Sequence, residues 1–130
     1  YLKLLLDGNE AGACALIDDV GSPIAYAGAK LGLAHWMRRH TAEYAKAGVR
    51  MNAIAPGVTM TPMVEGAFED PKTKEAMHAY VAAIPMGRSA DPSEIANVIR
   101  FLLGPESSFV CGSLLFADGG QDASQRPDEP

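Results

Sequence analysis

The sequence has little of what marks exported, membrane-spanning or metal-binding proteins. Its two cysteines, Cys14 and Cys111, lie far apart, so they form neither a disulfide framework nor the short spacing of a metal site. No apolar run approaches the roughly 18 residues that a membrane-spanning helix needs, and no export signal opens the chain. We therefore expect a cytoplasmic protein with reduced thiols, no membrane association and no metal.

Positive charge is also scarce. The 130 residues contain 11 lysines and arginines against 16 aspartates and glutamates, which gives a net charge of −5. This balance argues against nucleic acid or an anionic membrane surface as a partner. The hydrophobic share of 48% is sufficient for the core of one domain. The chain begins at Tyr1 rather than at a methionine, so we expect its natural start to lie elsewhere.

The hydrophobic pattern alternates between helix and strand. A strand directly after a long helix is typical of a parallel α/β sheet. Asp91-Pro92-Ser93-Glu94 combines a cap, a proline at the first helical position and a closing glutamate, which together indicate a helix start. We predict, in order, two helical pieces in residues 1–20, a helix over 23–47, a strand over 49–55, two helices in 62–87 with Asp70-Pro71 capping the second, a helix from Asp91 that Gly104-Pro105 ends, a strand over 113–117 and a loose tail.

The stretch from Ser22 to Lys30 contains the first candidate site. Ser22 reads as the N-cap of the long helix, with Pro23 as its first residue. Tyr26 and Lys30 are four residues apart and therefore share one face of that helix. An isolated tyrosine hydroxyl has a pKa of about 10, and an ammonium roughly 5–6 Å away favours the phenolate form. We interpret the pair as a proton donor and acceptor for catalysis, although a surface pair with no chemical role has the same spacing.

A second candidate site follows the first predicted strand. Pro56, Gly57 and Val58 come where that strand ends, and the carboxyl ends of parallel strands are where open α/β sheets bind ligands. Gly57 permits a sharp bend and the close approach of a ligand. Thr59 and Thr61 offer hydroxyl groups, and Thr61 also reads as the cap of the next helix. The alternative is a plain turn between a strand and a helix.

Three motifs occur in a fixed order along the chain. They are Tyr26-x-x-x-Lys30, Asn52-Ala53-Ile54-Ala55-Pro56-Gly57 with Thr61, and Gly112 through Asp118-Gly119-Gly120. Together they resemble the C-terminal half of the short-chain dehydrogenases/reductases, and the resemblance covers nearly all of the chain from Ser22 to Gln121. Gly48–Asn52, Pro85–Arg88 and Asp91–Glu94 are similar to the bacterial 3α-hydroxysteroid dehydrogenase/carbonyl reductase branch, and coniferyl-alcohol dehydrogenases look similar as well.

The resemblance implies a reaction and a role for the first site. Tyr26 is the implied acid/base that moves the proton of the alcohol or ketone. Lys30 is implied to favour the phenolate of that tyrosine and to bond the nicotinamide ribose. The implied reaction is reversible hydride transfer between NAD or NADP and a secondary alcohol or ketone of a steroid-like or aromatic substrate.

The second site is implied to hold the cofactor. Pro56, Gly57 and Val58 are implied to line the nicotinamide, with the Val58 backbone meeting the carboxamide. Thr59 and Thr61 are implied to contact the carboxamide or the pyrophosphate. The methionine-rich segment after Thr61 matches the loop that covers the substrate in this family.

The resemblance also implies an incomplete domain. We expect an α/β fold that is the C-terminal part of a Rossmann-type doubly wound parallel sheet, with the N-terminal half missing. The family's glycine-rich phosphate loop and catalytic serine belong to that half. Residues 1–121 are then a partial NAD(P)-binding domain and residues 122–130 a flexible tail. Because two strands alone do not form a stable open sheet, we expect the isolated chain to bind NAD(H) weakly at most.

The resemblance also implies which partners the full-length protein has. The full-length protein is expected to act on a small-molecule alcohol or ketone and to form a homodimer or homotetramer. The alanine- and leucine-rich stretch before Tyr26 resembles an insertion found in the hydroxysteroid dehydrogenase branch. We expect association through the region Asp91–Ala117, because this insertion would block the other surface that the family uses. Two alternatives remain, a non-catalytic relative that senses a dinucleotide and a partner-binding α/β fragment without a ligand. Retention of both Tyr26 and Lys30 favours the enzyme.

Overall fold

The structure is a computed structural model that describes residues 1–17 and 21–128. The described residues fall into two compact units. The first contains Tyr1–Ala53 and Cys111–Ser113, and the second contains Ile54–Val110 and the chain from Leu114 on. Residues 18–20, which we expect at the end of the second helical piece, and residues 129–130 of the expected tail lie outside the described residues.

The first unit is helical. The two short pieces predicted before residue 20 are confirmed, and they separate at Gly8 and Asn9. The Asn9 side chain caps the second piece by accepting a hydrogen bond from the Gly12 N–H at 2.9 Å. Gly48, at φ 78°, ends the long helix in the left-handed conformation, as predicted. The helices of this unit are α1 (Leu2–Leu6), α2 (Glu10–Ala15) and α3 (Ser22–Lys46).

Two glycines of α3 make room for the N-terminal segment. A Cβ on Gly28 would lie 2.6 Å from the Tyr1 ring, and a Cβ on Gly32 would lie 3.5 Å from Leu5 and 3.6 Å from Leu2. Helix α1 therefore packs against α3 where the long helix lacks side chains. The small residues after Tyr26 thus serve the packing of this helix pair.

The start of α3 differs from the prediction. Gly21, at φ 75°, is the N-cap, and Ser22 is already the first helical residue. No side chain caps this helix end, so the expected role of Ser22 as N-cap is wrong. The physical reason is that Gly21 adopts a left-handed φ without steric cost, which turns the chain one residue earlier. Pro23 lies in the first turn, where its missing N–H leaves no hydrogen bond unmade.

The second unit contains the two strands and the remaining helices. Its buried residues are Ile84, Leu102 and Ser107, and the Ser107 hydroxyl donates to the Leu102 carbonyl at 2.9 Å. Strand β1 begins at the last residue of the first unit. The elements are β1 (Ala53–Pro56), α4 (Pro62–Glu69), α5 (Lys74–Ala82), α6 (Pro92–Leu103), a 3-10 turn (Pro105–Ser107), β2 (Leu114–Ala117) and α7 (Gln121–Gln125).

The two strands are parallel, as the sequence predicts. The Ala53 N–H donates to the Ser113 carbonyl at 2.9 Å, and the Gly57 N–H donates to the Ala117 carbonyl at 3.0 Å. Partners advance in the same direction along both strands, which is the parallel register. The chain is therefore an α/β protein.

Strand β1 is shorter than predicted because Asn52 uses its side chain. The Asn52 Oδ1 accepts the Ser113 N–H at 3.1 Å, so the side chain takes a place that the main chain of a regular strand would fill. The ladder of β1 consequently begins at Ala53 rather than at Val49.

The caps of the second unit confirm one prediction and correct another. Asp91 and Glu94 form the predicted capping box at the start of α6. Asp70-Pro71 does not cap the second of the two helices in 62–87, because α5 begins after Thr73. The Asp70 Oδ1 instead accepts the Lys72 N–H at 2.9 Å, which makes a local turn. Thr61 lies at the N-cap of α4, but its side chain makes no capping bond.

The C-terminal segment contains regular structure where we expect a loose tail. Helix α7 (Gln121–Gln125) begins immediately after Gly120. The Asp118 carboxylate accepts the Gly120 N–H at 2.9 Å and the Asp122 N–H at 2.7 Å, and Arg126 pairs with Asp122 at 2.6 Å. These bonds start the helix and support it across one turn. The flexibility of residues 122–130 stays a prediction.

None of the helices in the described ranges combines the length and the apolar character that crossing a bilayer requires.

Candidate active site

Tyr26 and Lys30 lie together in the first unit. The Lys30 Nζ lies 5.4 Å from the centroid of the Tyr26 ring, on the same face of α3. The tyrosine is 67% exposed, so its hydroxyl is accessible to a ligand. The helical repeat alone brings the pair together, since residues four apart are neighbours along a helix. The arrangement places a cation over the face of an aromatic ring.

Gly57 lies in the second unit, where β1 ends. A Cβ on Gly57 would lie 2.7 Å from the Asp118 Cα, so only glycine allows the two backbones to approach this closely. The Thr59 hydroxyl donates to the Gly57 carbonyl at 3.0 Å, which tightens the bend after the strand. Pro56 is exposed at the end of the strand, and Val58 is half-buried. The predicted bend at Pro56-Gly57 therefore has a tight geometry.

The backbone after Gly57 is fixed by a short parallel bridge. The Ala90 N–H donates to the Val58 carbonyl at 2.8 Å, and the Met60 N–H donates to the Ala90 carbonyl at 2.9 Å. Within residues 1–17 and 21–128, no acceptor meets the N–H of Val58 or of Thr59. The loop therefore offers two unpaired backbone donors, which suits a carboxamide or phosphate oxygen.

An ion pair and a capping box lie immediately beyond this bridge. The Arg88 guanidinium bonds both carboxylate oxygens of Glu94, at 2.7 and 2.8 Å. The Asp91 N–H donates to Glu94 Oε2 at 2.8 Å, and the Ser93 N–H donates to Asp91 Oδ1 at 2.8 Å. The hydrogen bond from Arg88, followed by that from the Asp91 backbone, lowers the pKa of Glu94 to about 2. The hydrogen bonds from Ser93 lower the pKa of Asp91.

A cavity of about 630 Å³ lies within the second unit beside this loop. Its volume is in the range of small-molecule sites. Gly57 and Val58 form part of the wall, and the ion pairs Arg88–Glu94 and Asp122–Arg126 also contribute to the lining. The apolar lining comes from Ile84, Met86, Ile95, Val98, Phe116 and Ala117.

The structure divides the predicted site residues into two groups. Tyr26 and Lys30 are neighbours in the first unit, whereas Pro56, Gly57, Val58, Thr59 and Thr61 are consecutive or nearly so in the second. Each group has the local form that the sequence predicts.

Sequence reasoning missed three contributors to the second group. Ala90 holds the loop by main-chain bonds, and no side-chain signal could have shown that. Asp118 approaches Gly57 through its backbone. The C-terminal segment lines the cavity with Arg126, and the spacing of Asp122 and Arg126, four apart, was the available signal for a helix there.

Metal chemistry has no cluster to support it in the part of the chain that the structure describes. Its histidines, cysteines, aspartates and glutamates do not converge in any group of three that could hold an ion.

Comparison with known proteins identifies the family. The family model described as enoyl-(acyl carrier protein) reductase matches residues 14–122. The chain belongs to the short-chain dehydrogenase/reductase family. The match includes both groups of candidate residues and the Asp118-Gly119-Gly120 motif.

Two named proteins of other organisms are similar in sequence to this chain. The 3-alpha-hydroxysteroid dehydrogenase/carbonyl reductase of Comamonas testosteroni is 44% identical over 130 residues, which are 97% of this chain and 50% of that protein. The levodione reductase of Leifsonia aquatica is 38% identical, over 83% of this chain and 42% of that protein. This chain thus spans about half the length of these relatives or less.

A solved structure of the family is similar as well. The 3-alpha-hydroxysteroid dehydrogenase from Pseudomonas sp. B-0831, crystallised as a complex with NADH, is 40% identical with a TM-score of 0.86. The likeness covers 99% of this chain and 50% of that one. The chain is therefore an α/β protein that is similar to part of a Rossmann-type enzyme of this family.

Proposed function

We propose that this chain is the C-terminal part of an NAD(P)-dependent oxidoreductase that acts on secondary alcohols and ketones of steroid-like or aromatic substrates. The observation that carries the proposal is the Lys30 Nζ 5.4 Å from an exposed Tyr26 ring, in a chain of this family. The named relatives support the substrate class, since two of them are hydroxysteroid dehydrogenases.

When bound, the cofactor would supply the hydride, and residues of this chain would move the proton and bind the nicotinamide end of the cofactor. Tyr26 gives a proton to the ketone oxygen in reduction and takes one from the alcohol in oxidation. The positive charge of Lys30 stabilises the phenolate left after proton transfer. The Lys30 ammonium group also donates a hydrogen bond to the nicotinamide ribose. The Val58 N–H donates to the carboxamide, while Thr59 and Thr61 contact the carboxamide or the pyrophosphate. The unpaired N–H groups of Val58 and Thr59 fit this role.

The rest of the active site is proposed to lie N-terminal to this chain. Doubly wound folds bind a dinucleotide between two halves, and the glycine-rich phosphate loop belongs to the first. The chain's coverage of about half of its relatives supports this. We therefore expect the 130 residues alone to show no NADH binding in the micromolar range. A saturable fluorescence titration with micromolar affinity would contradict this part of the proposal.

Replacing Tyr26 by phenylalanine in the full-length protein tests the function. Turnover of an aromatic or steroid ketone should fall by about 10²–10⁴-fold, because the acid/base is lost while the ring is kept. The affinity for NADH should be nearly unchanged. Tyr44→Phe, on the same helix, is the matched control and should retain full turnover. Unchanged turnover in Tyr26→Phe would overturn the proposal and favour a dinucleotide sensor instead.

We further propose that the full-length protein associates through Asp91–Ala117. Ile99, Leu103 and Phe109 are exposed there, with Leu103 at 79%. Exposed apolar side chains within one unit favour a protein contact. Leu103→Asp should lower the mass of the full-length protein in sedimentation to that of the monomer. An unchanged mass would place the contact elsewhere.

A further inference from the structure

The loop that we propose to hold the nicotinamide is supported through one residue, Ala90. Its N–H and its carbonyl bond the Val58 carbonyl and the Met60 N–H, at 2.8 and 2.9 Å. One of these bonds is made by the residue before Thr59 and the other by the residue after it. The position of Ala90 therefore determines where the backbone from Val58 to Met60 lies.

Ala90 is itself held by its neighbours on both sides along the chain. Arg88 precedes it by two residues, and Asp91, the N-cap of α6, follows it directly. Glu94 connects the two, because its Oε2 accepts both from the Arg88 Nη1 at 2.7 Å and from the Asp91 N–H at 2.8 Å. The Arg88 Nη1 also donates to the Ser89 carbonyl at 3.0 Å, which closes a ring of hydrogen bonds around Ala90.

The ion pair between Arg88 and Glu94 is bidentate. A bidentate arginine–carboxylate pair fixes the relative orientation of its two planes, which a single point-charge contact does not. The pair is half-exposed, with side-chain exposures of 51% for Arg88 and 44% for Glu94. Solvent screens its Coulomb energy at that exposure, so its contribution to global stability is small. Solvent screening does not change the orientation that the bidentate pair imposes on the chain on either side of Ala90.

We propose that Arg88 and Glu94 are positioning residues that hold the Val58–Met60 backbone in place through Ala90. The inference rests on the proposed function only for its catalytic consequence, since the placement of the loop is a property of the free protein. Breaking the ring frees Ala90, loosens its two bonds and disorders the donors offered by Val58 and Thr59. The cofactor then binds a loop that it must first order, which raises the KM for the cofactor.

Amide hydrogen exchange of the full-length protein tests the placement without any ligand. Exchange at Ala90 and Met60 should become about threefold to tenfold faster in Arg88→Met, because their bonds open locally. The Gly57 N–H, bonded to Ala117 in the sheet, reports global opening and should keep its rate. Arg126→Met breaks the ion pair with Asp122, whose arginine side chain is 47% exposed, and should leave all three rates unchanged.

Glu94 variants separate the two bonds that its carboxylate makes. Glu94→Gln keeps an acceptor for the Asp91 N–H but loses the charge that pairs with Arg88, so it should resemble Arg88→Met. Glu94→Ala loses both bonds and should give the fastest exchange at Ala90. Equal acceleration at Gly57, Ala90 and Met60 would show global destabilisation and overturn the proposal, as would unchanged exchange at Ala90 and Met60.

Steady-state kinetics then test the catalytic consequence. Arg88→Met should raise the KM for NADH by about threefold to tenfold with little change in kcat, and Arg88→Lys should recover part of the loss. A protein without turnover would refute the proposed function but leave the exchange result to decide the placement. Local loosening without any change in KM would overturn the catalytic part of this inference alone.

Discussion

The two units present their candidate functional groups in different ways. In the first, Tyr26 and Lys30 lie one helical turn apart on α3, and any regular helix brings them together. In the second, the loop at Val58 depends on main-chain bonds to Ala90 and on the close approach of Gly57 to Asp118. The side-chain pair needs only local order, whereas the loop needs partners distant in sequence. Substitutions should therefore damage chemistry in the first unit and placement in the second.

Among substitutions that keep the Tyr26 hydroxyl, removing the lysine charge should have the largest effect on activity. Lys30→Met should lower the turnover of the full-length protein by about 100-fold or more, because the proposed acid/base Tyr26 loses the cation beside it. The free energy of unfolding should change little, because the side chains of Lys30 and Tyr26 are exposed to solvent. The measurement is steady-state turnover beside thermal unfolding. Lys46→Met, at the other end of α3, is the control; equal losses in both variants would show a nonspecific charge effect.

Gly57→Ala should have the largest effect on stability. Its Cβ would meet the Asp118 Cα at 2.7 Å, and backbone atoms do not move aside as a flexible side chain does. The free energy of unfolding should fall by about 1–3 kcal/mol. Chemical denaturation of the full-length protein measures it.

Gly66→Ala is the matched control for that substitution. Nothing lies within 4 Å of its Cβ, and it is inside helix α4. It should gain about 0.5–1 kcal/mol from helix propensity. A neutral Gly57→Ala would show that the two backbones can separate at no cost.

Acid should weaken the support of the loop. The pKa of Glu94 is lowered from 4.5 to about 2, so the folded state favours its charged form. The stabilising contribution is therefore complete above about pH 4.5 and is lost as the pH falls towards about 2. Protection of the Ala90 amide against hydrogen exchange should differ between the wild type and Glu94→Gln at neutral pH and converge across this range. A difference that is constant with pH would contradict this assignment.

The smallest effect is expected where α1 packs on α3. A Cβ at Gly28 would lie 2.6 Å from the Tyr1 ring, which is the far end of a side chain and can rotate away. Gly28→Ala should therefore displace Tyr1 with little net change in stability. Gly32→Ala meets only ordinary contacts at 3.5 Å and should be stabilising. Tyrosine fluorescence and thermal unfolding distinguish the two, and a strongly destabilised Gly32→Ala would contradict the packing described.

Local patterns were sufficient to predict much of this structure. The capping box at Asp91 and the end of the long helix at Gly48 follow from short-range signals. The pairing of Tyr26 with Lys30 follows from helical spacing alone. These features depend on the residue itself and on neighbours within one turn.

What escaped prediction depends on contacts between distant residues or on competition between neighbouring ones. The bridge of Ala90 to Val58 and Met60 uses main-chain atoms, which carry no sequence signature. Gly21 rather than Ser22 is the N-cap of the long helix. Either residue could take that position, and the three-dimensional path of the chain determines which one does. The short helix after Gly120 was missed because its support comes from Asp118, which lies outside the segment.

A crystal structure of the full-length protein with NAD(H) bound is the decisive measurement for the proposed roles of Tyr26, Lys30 and Val58. We expect the Lys30 Nζ to bond the nicotinamide ribose, the Val58 N–H to donate to the carboxamide and the Tyr26 hydroxyl to lie beside the reacting carbon. A nicotinamide that lies away from Lys30 or from Val58, or a Tyr26 hydroxyl directed away from it, would refute the corresponding role.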